Sequence, residues 1–262
     1  MKIVVLGFGR MGSWLVRELA GDHRVAVYDT DTTKPGHGPD ITRLNSLPEV
    51  RKVKPDLLVN AVTLQHTVTA FKDVAPYLPP DCMLCDVASI KGKIADYYEK
   101  AGFRFVSVHP MFGPTFADMD ALREENAVII TESCNEGQNL FRGFFTRRHV
   151  RVFEYTFDEH DRMMAYSLTI PFVASLVFAA CVDTKTLPGT TFTRHMAIAR
   201  SLLTEDDHLL AEILFNPHSL TELAKITSRL QFLTHIIKAG DGDEAREFFK
   251  RLREKIREGN KP

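Results

Sequence analysis

The sequence predicts a doubly wound α/β fold with a mostly parallel sheet, followed by an all-α C-terminal domain. Three observations carry that expectation. Short apolar runs alternate with amphipathic stretches over residues 2–154, the rhythm of a sheet covered by helices on both faces. A glycine-rich turn, Gly7-Phe8-Gly9-Arg10-Met11-Gly12, follows the first apolar run directly. From about Tyr155 strand signals stop, and helical periodicity runs almost to the end.

Taken in order, strands are expected at residues 3–6, 25–28, 57–60, 83–86, 103–106, 127–130 and 150–153. Helical patterns separate several of them, at residues 11–19, 68–77, 94–100 and 137–145. Residues 30–48 are rich in Asp, Thr, Gly and Pro and read as a surface loop. Beyond them, helices are expected at 159–182, 192–203, 207–214, 219–239 and 243–258, with Asp206 or Asp207 capping the third. A chain of 262 residues can hold two cores, and the division expected is 1–155 and 156–262.

Composition removes several function classes. Lys and Arg total 33 against 34 Asp and Glu, for a formal charge of −1. No basic field is left to hold nucleic acid, and nothing calls for an anionic membrane. Four cysteines do not make a disulfide framework in a chain this long. Cys82 and Cys85 form a C-x-x-C without a second pair, on a strand where residues three apart face opposite ways. Structural thiols and no metal are expected. Residues 165–182 carry no charge and are long enough to nominate a membrane span. Ser167, Thr169, Pro171 and Ser175 within them favour a helix buried on all sides in a helical domain. The chain starts at a strand, so no cleavable signal is expected, and a cytoplasmic location follows.

The glycine turn sits between the first strand and the first helix, which marks a Rossmann-type dinucleotide site. Gly7 permits the tight turn, Gly9 lets a pyrophosphate approach, and Gly12 brings the helix close to the sheet. Phe8, Arg10 and Met11 complete the expected cofactor-binding turn, with helix N-terminal amides as phosphate donors. Asp29 ends the second strand, where a carboxylate accepts ribose hydroxyls and repels a 2′-phosphate. Neither Thr30 nor Asp31 supplies an arginine, so NAD is expected rather than NADP. Ser89 and His109 each follow an apolar run, which places them at the ligand-binding edge of the sheet. A histidine there, beside a nucleotide fold, suggests proton removal from an alcohol whose carbon loses a hydride. For Ser89, capping of the helix that follows is an equally physical use.

The segments Asp86-Val87-Ala88-Ser89-Ile90-Lys91 and Ser107-Val108-His109-Pro110-Met111-Phe112-Gly113-Pro114 resemble the prephenate and arogenate dehydrogenases of tyrosine biosynthesis. The resemblance implies NAD-dependent oxidative decarboxylation of prephenate to 4-hydroxyphenylpyruvate. It implies that His109 takes the proton of the ring hydroxyl, and that Ser89 bonds both that hydroxyl and the histidine. Lys91 would add positive potential near the substrate, unless it is a solvated lysine. Residues 195–203 are similar to a helix whose arginine, Arg200 here, grips a substrate carboxylate, with Arg194 in reserve. Thr115 stands where many relatives carry an acid, which opens the question of side-chain selectivity. His160-Asp161 resembles a His-Asp pair expected to act structurally, in capping or interdomain bonding. A homodimer through the helical domain is implied, and no regulatory domain is expected beyond Pro262. The alternatives are arogenate as substrate, a hydroxyacid dehydrogenase with a lysine acid/base, and a nucleotide-sensing module.

Overall fold

The computed structural model describes residues 1–33, 41–112, 122, 125–183, 185, 187–205 and 207–259. Its strands are β1 (Lys2–Leu6), β2 (Arg24–Tyr28), β3 (Ile41–Arg43), β4 (Leu57–Asn60), β5 (Met83–Asp86), β6 (Phe105–Pro110), β7 (Asn126–Ile130) and β8 (Arg151–Tyr155). Among the described residues these form one sheet in the order β3-β2-β1-β4-β5-β6-β7-β8. Pairing is parallel from β3 through β6, antiparallel between β6 and β7, and parallel again to β8. The strand order reverses at β1, whose two neighbours are β2 and β4, and such a switch point opens a crevice beyond the strand ends.

The central strands are apolar on both faces because both faces are covered. Ile3 and Val5 join one core with Trp14, Leu15 and Leu19 of α1 (Arg10–Ala20) and with Phe141, Phe144 and Phe145 of α5 (Asn135–Thr146). Val4 and Leu6 join the other with Val50 of α2 (Val50–Val53), under Phe71 and Val74 of α3 (Thr67–Val74) and Ile94 and Tyr98 of α4 (Gly92–Ala101). Cys85 lies in the first core and Cys82 in the second, as strand alternation requires. Burial pushes the Cys82 thiol up to about 12 and raises Cys85 as well, so both are inert side chains of the interior.

Two strands depart from expectation. β3 lies within the stretch read as loop, and its three residues are too few to show a period. β6 begins later and runs further than residues 103–106, because it changes partner midway. Phe105 to Ser107 pair with β5, whereas Val108 to Pro110 pair with β7. His109 therefore lies within a strand rather than after one.

The helical region opens with α6 (Phe157–Met164), started by a capping box in which Thr156 and Glu159 bond each other's backbone amides. A π-helical turn at Ala165–Thr169 leads into α7 (Ile170–Cys181). Pro171 has no N–H for the carbonyl of Ser167, and the helix passes that point through the wider turn. α8 (Thr190–Leu202), α9 (Asp207–Leu214), α10 (Ser219–Ala239) and α11 (Gly242–Gly259) follow.

The expected all-round burial of the apolar segment is not found. In the helix Phe157–Cys181, long and apolar enough by composition to cross a membrane, only 17% of the most apolar window is buried. α7 itself has no fully buried residue. It packs on α8 and α10 besides the π turn that leads into it, and two neighbouring helices cannot cover a helix that is apolar all round.

Candidate functional site

The glycine turn is built as its spacing requires. Gly7 has φ +88°, and a Cβ there would meet the Ala61 carbonyl oxygen at 2.7 Å. A Cβ on Gly12 would meet the Gly7 carbonyl oxygen at 2.1 Å, so this glycine admits the close packing of helix on turn. Gly9 has open space around it and sits at the N-cap of α1 without a side-chain cap. The start of α1 thus lacks a side-chain cap at the point where a helix N-terminus would receive an anion.

Asp29 has a second task besides the expected one. Its Oδ2 accepts the Phe8 amide at 2.6 Å and its Oδ1 the Asp31 amide at 2.8 Å. The acid therefore braces the glycine turn at the end of β2. The Phe8 amide is engaged by this bond, and the side chains of Phe8 and Met11 pack against the core. Arg10 stands exposed in the first turn of α1. Arg43, on the unexpected strand β3, donates to the carbonyls of Asp29 and Asp31 at 3.2 and 2.9 Å. A cleft of about 540 Å³ follows the switch point, lined among others by Gly7, Gly9, Asp29, Ala61 and Thr63.

His109 is the centre of a second, buried constellation. Its Nδ1 lies 3.0 Å from Nε2 of His160, and Nδ1 of His160 lies 2.9 Å from Oδ1 of Asp161. Asp161 Oδ1 also accepts the Lys91 amide at 2.9 Å. The Lys91 ammonium donates to Asp86 Oδ2 at 2.5 Å and to the Val108 carbonyl at 2.8 Å. Asp86 Oδ1 accepts the Tyr98 hydroxyl at 2.9 Å, and Asn216 ties the backbone of Asp161 to the start of α10 at 2.8 Å. Phe112 anchors the segment after His109 by packing edge-on against Trp14, 5.3 Å between ring centres.

The protonation pattern follows from these bonds. A carboxylate only accepts, so Asp161 fixes the proton of His160 on Nδ1 and leaves its Nε2 as acceptor. His109 must then donate from Nδ1, and its own Nε2 carries a lone pair. Burial, the neighbouring His160 and the Lys91 ammonium together hold the His109 pKa well below the usual histidine range. His160 is also lowered by burial, against the opposing pull of Asp161. At neutral pH the ring is a neutral base with its lone pair on a defined nitrogen.

Several expected site residues lie differently. Lys91 is neither a solvated lysine nor free to meet a substrate, being 0% exposed with its charge held by Asp86. Ser89 is half-buried, and α4 begins at Gly92 with no side-chain cap, so it is not a helix cap. No hydrogen bond of its hydroxyl, to His109 or elsewhere, occurs among the described residues. Arg200 is exposed on α8 and makes no ion pair among the described residues, as does Arg194. Thr115 lies outside the described residues. His160-Asp161 does not cap α6, the task of Thr156, and instead reaches across to His109.

The edge of the sheet is thus organised for a dinucleotide at β1, with the His109–His160 pair beyond the two strands β4 and β5, and the chain is of the Rossmann class of nucleotide-binding proteins. Its family is narrower. Residues 15–152 match the family described as prephenate dehydrogenase, nucleotide-binding domain, and the chain belongs to the prephenate dehydrogenase family. A curated relative, the probable arogenate/prephenate dehydrogenase of Methanocaldococcus jannaschii, is 25% identical over 260 residues, taking in 91% of this chain and 57% of the relative. The chain therefore spans little more than half the length of that protein. Among solved structures, prephenate dehydrogenase from A. aeolicus in complex with hydroxyphenyl propionate and NAD+ has a TM-score of 0.85 at 17% identity, covering 99% of this chain and 98% of that one. Synechocystis arogenate dehydrogenase gives 0.78 at 18% identity, covering 98% and 99%. At these identities the likeness is one of fold.

Proposed function

We propose that the protein oxidises prephenate with NAD, releasing 4-hydroxyphenylpyruvate, carbon dioxide and NADH, a step of tyrosine biosynthesis. The observation that carries this reading is the Asp161–His160–His109 relay, which leaves a buried base with its lone pair on Nε2. The fit to a dinucleotide rests on the open Gly9, the uncapped start of α1 and the Asp29 carboxylate. Bound there, NAD supplies the hydride acceptor.

The chain's residues supply the rest. His109 Nε2 takes the proton of the C4 hydroxyl, a contribution typically of about 10²–10⁴ in rate. Its neutral form is already present at cytoplasmic pH, so no proton must first be removed. Ser89, next to the base in the expected set, orients the same hydroxyl, and Arg200 holds a carboxylate of the substrate through two parallel hydrogen bonds. Loss of the ring carboxylate as carbon dioxide aromatises the ring and makes the step irreversible.

Residues 1–155 serve as the NAD-binding domain and 156–262 as the substrate and dimerisation domain. A second copy of the chain covers the exposed apolar face of α7 and α8, giving a homodimer in the cytoplasm. Arogenate is the second reading, favoured because the M. jannaschii relative carries both substrate names. Thr115, where many relatives carry an acid, is assigned to substrate binding. The test is NADH formation by the purified chain with prephenate and with L-arogenate, each with NAD and NADP. Turnover with NAD on prephenate supports the proposal, turnover on arogenate alone replaces the substrate, and silence on both overturns it.

A further inference from the structure

The carbonyl of Val108 stands where the sheet cannot satisfy it. β5 ends at Asp86, opposite Ser107, and beyond that point β6 pairs, among the described residues, only with β7. The Met111 amide donates to the Asn126 carbonyl at 2.9 Å. By antiparallel alternation His109 then turns its backbone groups toward β7, and Val108 turns its own away. The Lys91 ammonium takes the place of the missing strand, 2.8 Å from the Val108 oxygen. Asp86, the last residue of β5, holds that ammonium from the other side and also accepts the Ala88 amide at 3.1 Å, closing the turn that carries Ser89. The backbone amide of the same lysine donates to Asp161.

We propose that Lys91 is a positioning residue for the base: its ammonium clamps the backbone one residue before His109 while its amide fixes Asp161, so that one residue holds both ends of the His109–His160–Asp161 relay in register. The inference rests on the reading of His109 as the base. Its physical content is that a 3.0 Å contact between two rings on different elements, β6 and α6, survives only if both elements are tied to a common point. Lys91 is that point, since it bonds β5, β6 and α6 and opens α4. Full burial of the ammonium separates this role from substrate contact. Among the described residues, the titratable groups gathered around His109 are His160 and Asp161 on α6, Lys91, Asp86 on β5, and Tyr98 on α4 behind Asp86.

Lys91→Met alone would leave Asp86 buried without its counter-charge and could unfold the chain. The test therefore uses the double variant Asp86→Asn/Lys91→Met, which removes both charges and leaves one amide oxygen to accept from either Tyr98 or Ala88. If a thermal melt shows that it is not folded, Asp86→Asn/Lys91→Gln is read the same way. Two readouts are taken: the tautomer of His109 by imidazole nitrogen NMR, and kcat and KM on the substrate the wild type accepts. The expected result is a single Nδ1–H tautomer in the wild type and a mixture in the variant. With it, kcat should fall more than about tenfold with KM changed less than about threefold, a partial loss of what a positioned base contributes. Retention of the single tautomer, a kcat within tenfold of wild type, or a loss confined to KM overturns the proposal. Should the wild type turn over neither prephenate nor arogenate, the functional reading fails and the tautomer comparison alone decides this one.

Discussion

His109 and His160 meet nitrogen to nitrogen, Nδ1 of the first 3.0 Å from Nε2 of the second. Such a contact holds only when one ring donates and the other accepts, so the protonation of each ring is a statement about the other. Asp161, 2.9 Å from the far nitrogen of His160, decides the direction for both. A carboxylate orienting one imidazole through another extends the familiar logic in which an acid sets the tautomer of a catalytic base.

Removal of the base itself is the first expected effect. His109→Asn should lower kcat by about 10²–10⁴ while NAD binding, followed by fluorescence titration, stays within a few-fold of wild type. The Phe8–Asp29 bond that braces the cofactor turn and the His109–His160 contact have no residue in common. A variant that kept its turnover would mean that the proton leaves by another group.

Asp161→Asn should separate orientation from chemistry. An asparagine can present its amide N–H to His160, which would reverse the proton order along the relay and leave His109 Nε2 protonated. The expected loss is about 10²-fold in kcat, at the lower end of what a general base contributes. Because Asp161 raises the His160 pKa against burial, the variant should also push His160 further down. A kcat unchanged in this variant would show that the tautomer is set elsewhere.

Stability should fall on the acid side for a related reason. The folded-state pKa of His109 lies well below 6.5, and that of His160 is lowered too. Below the unfolded pKa of about 6.5, the unfolded chain takes up protons that the folded chain refuses. Stability is then full above that pH and declines as pH falls toward the folded values, by up to about 1.4 kcal/mol per pH unit for each proton. Urea unfolding between pH 7 and 5 checks this, and His109→Asn should flatten the slope. An equal slope in both proteins would remove His109 from the linkage.

Much of this was legible in the sequence, for local reasons. The glycine turn and Asp29 are close in the chain to the strands that present them, and their spacing alone carries their geometry. His109 was legible through the residues around it. Three features were not. Arg43 lies on a strand too short to show alternation. The link from His109 to His160 joins residues 51 positions apart, which no window of the sequence can reveal. Lys91 reads in sequence as a surface or substrate cation because lysine is seldom buried. Asp86, five residues earlier and closing an apolar strand, was the available signal that a buried partner was needed.

The exposed apolar face of the helical region leads to another expectation. Val177 on α7 is 48% exposed and Ile198 on α8 is 57% exposed. If a second copy covers them, Val177→Asp/Ile198→Asp should convert a dimer to a monomer in sedimentation without lowering the melting of the parallel sheet. A wild-type chain that sediments as a stable monomer at micromolar concentration would sink the dimer.

Two glycines of one turn should respond in opposite ways to the same methyl group. At Gly12 a Cβ would lie 2.1 Å from a backbone oxygen that cannot move without carrying Gly7 with it. Gly12→Ala should therefore destabilise by about 2–4 kcal/mol, or roughly 5–10 °C in Tm, and weaken NAD as a consequence. At Gly9 no described residue stands within 4 Å of the same position, so Gly9→Ala should melt within about 2 °C of wild type. That open space is where the pyrophosphate must approach the uncapped start of α1, and the methyl group should raise the Kd for NAD about tenfold or more, some 1.4 kcal/mol. Calorimetry on both variants, with and without NAD, separates the cases. A Gly9→Ala protein that bound NAD with wild-type affinity would mean that the phosphates do not cross this turn.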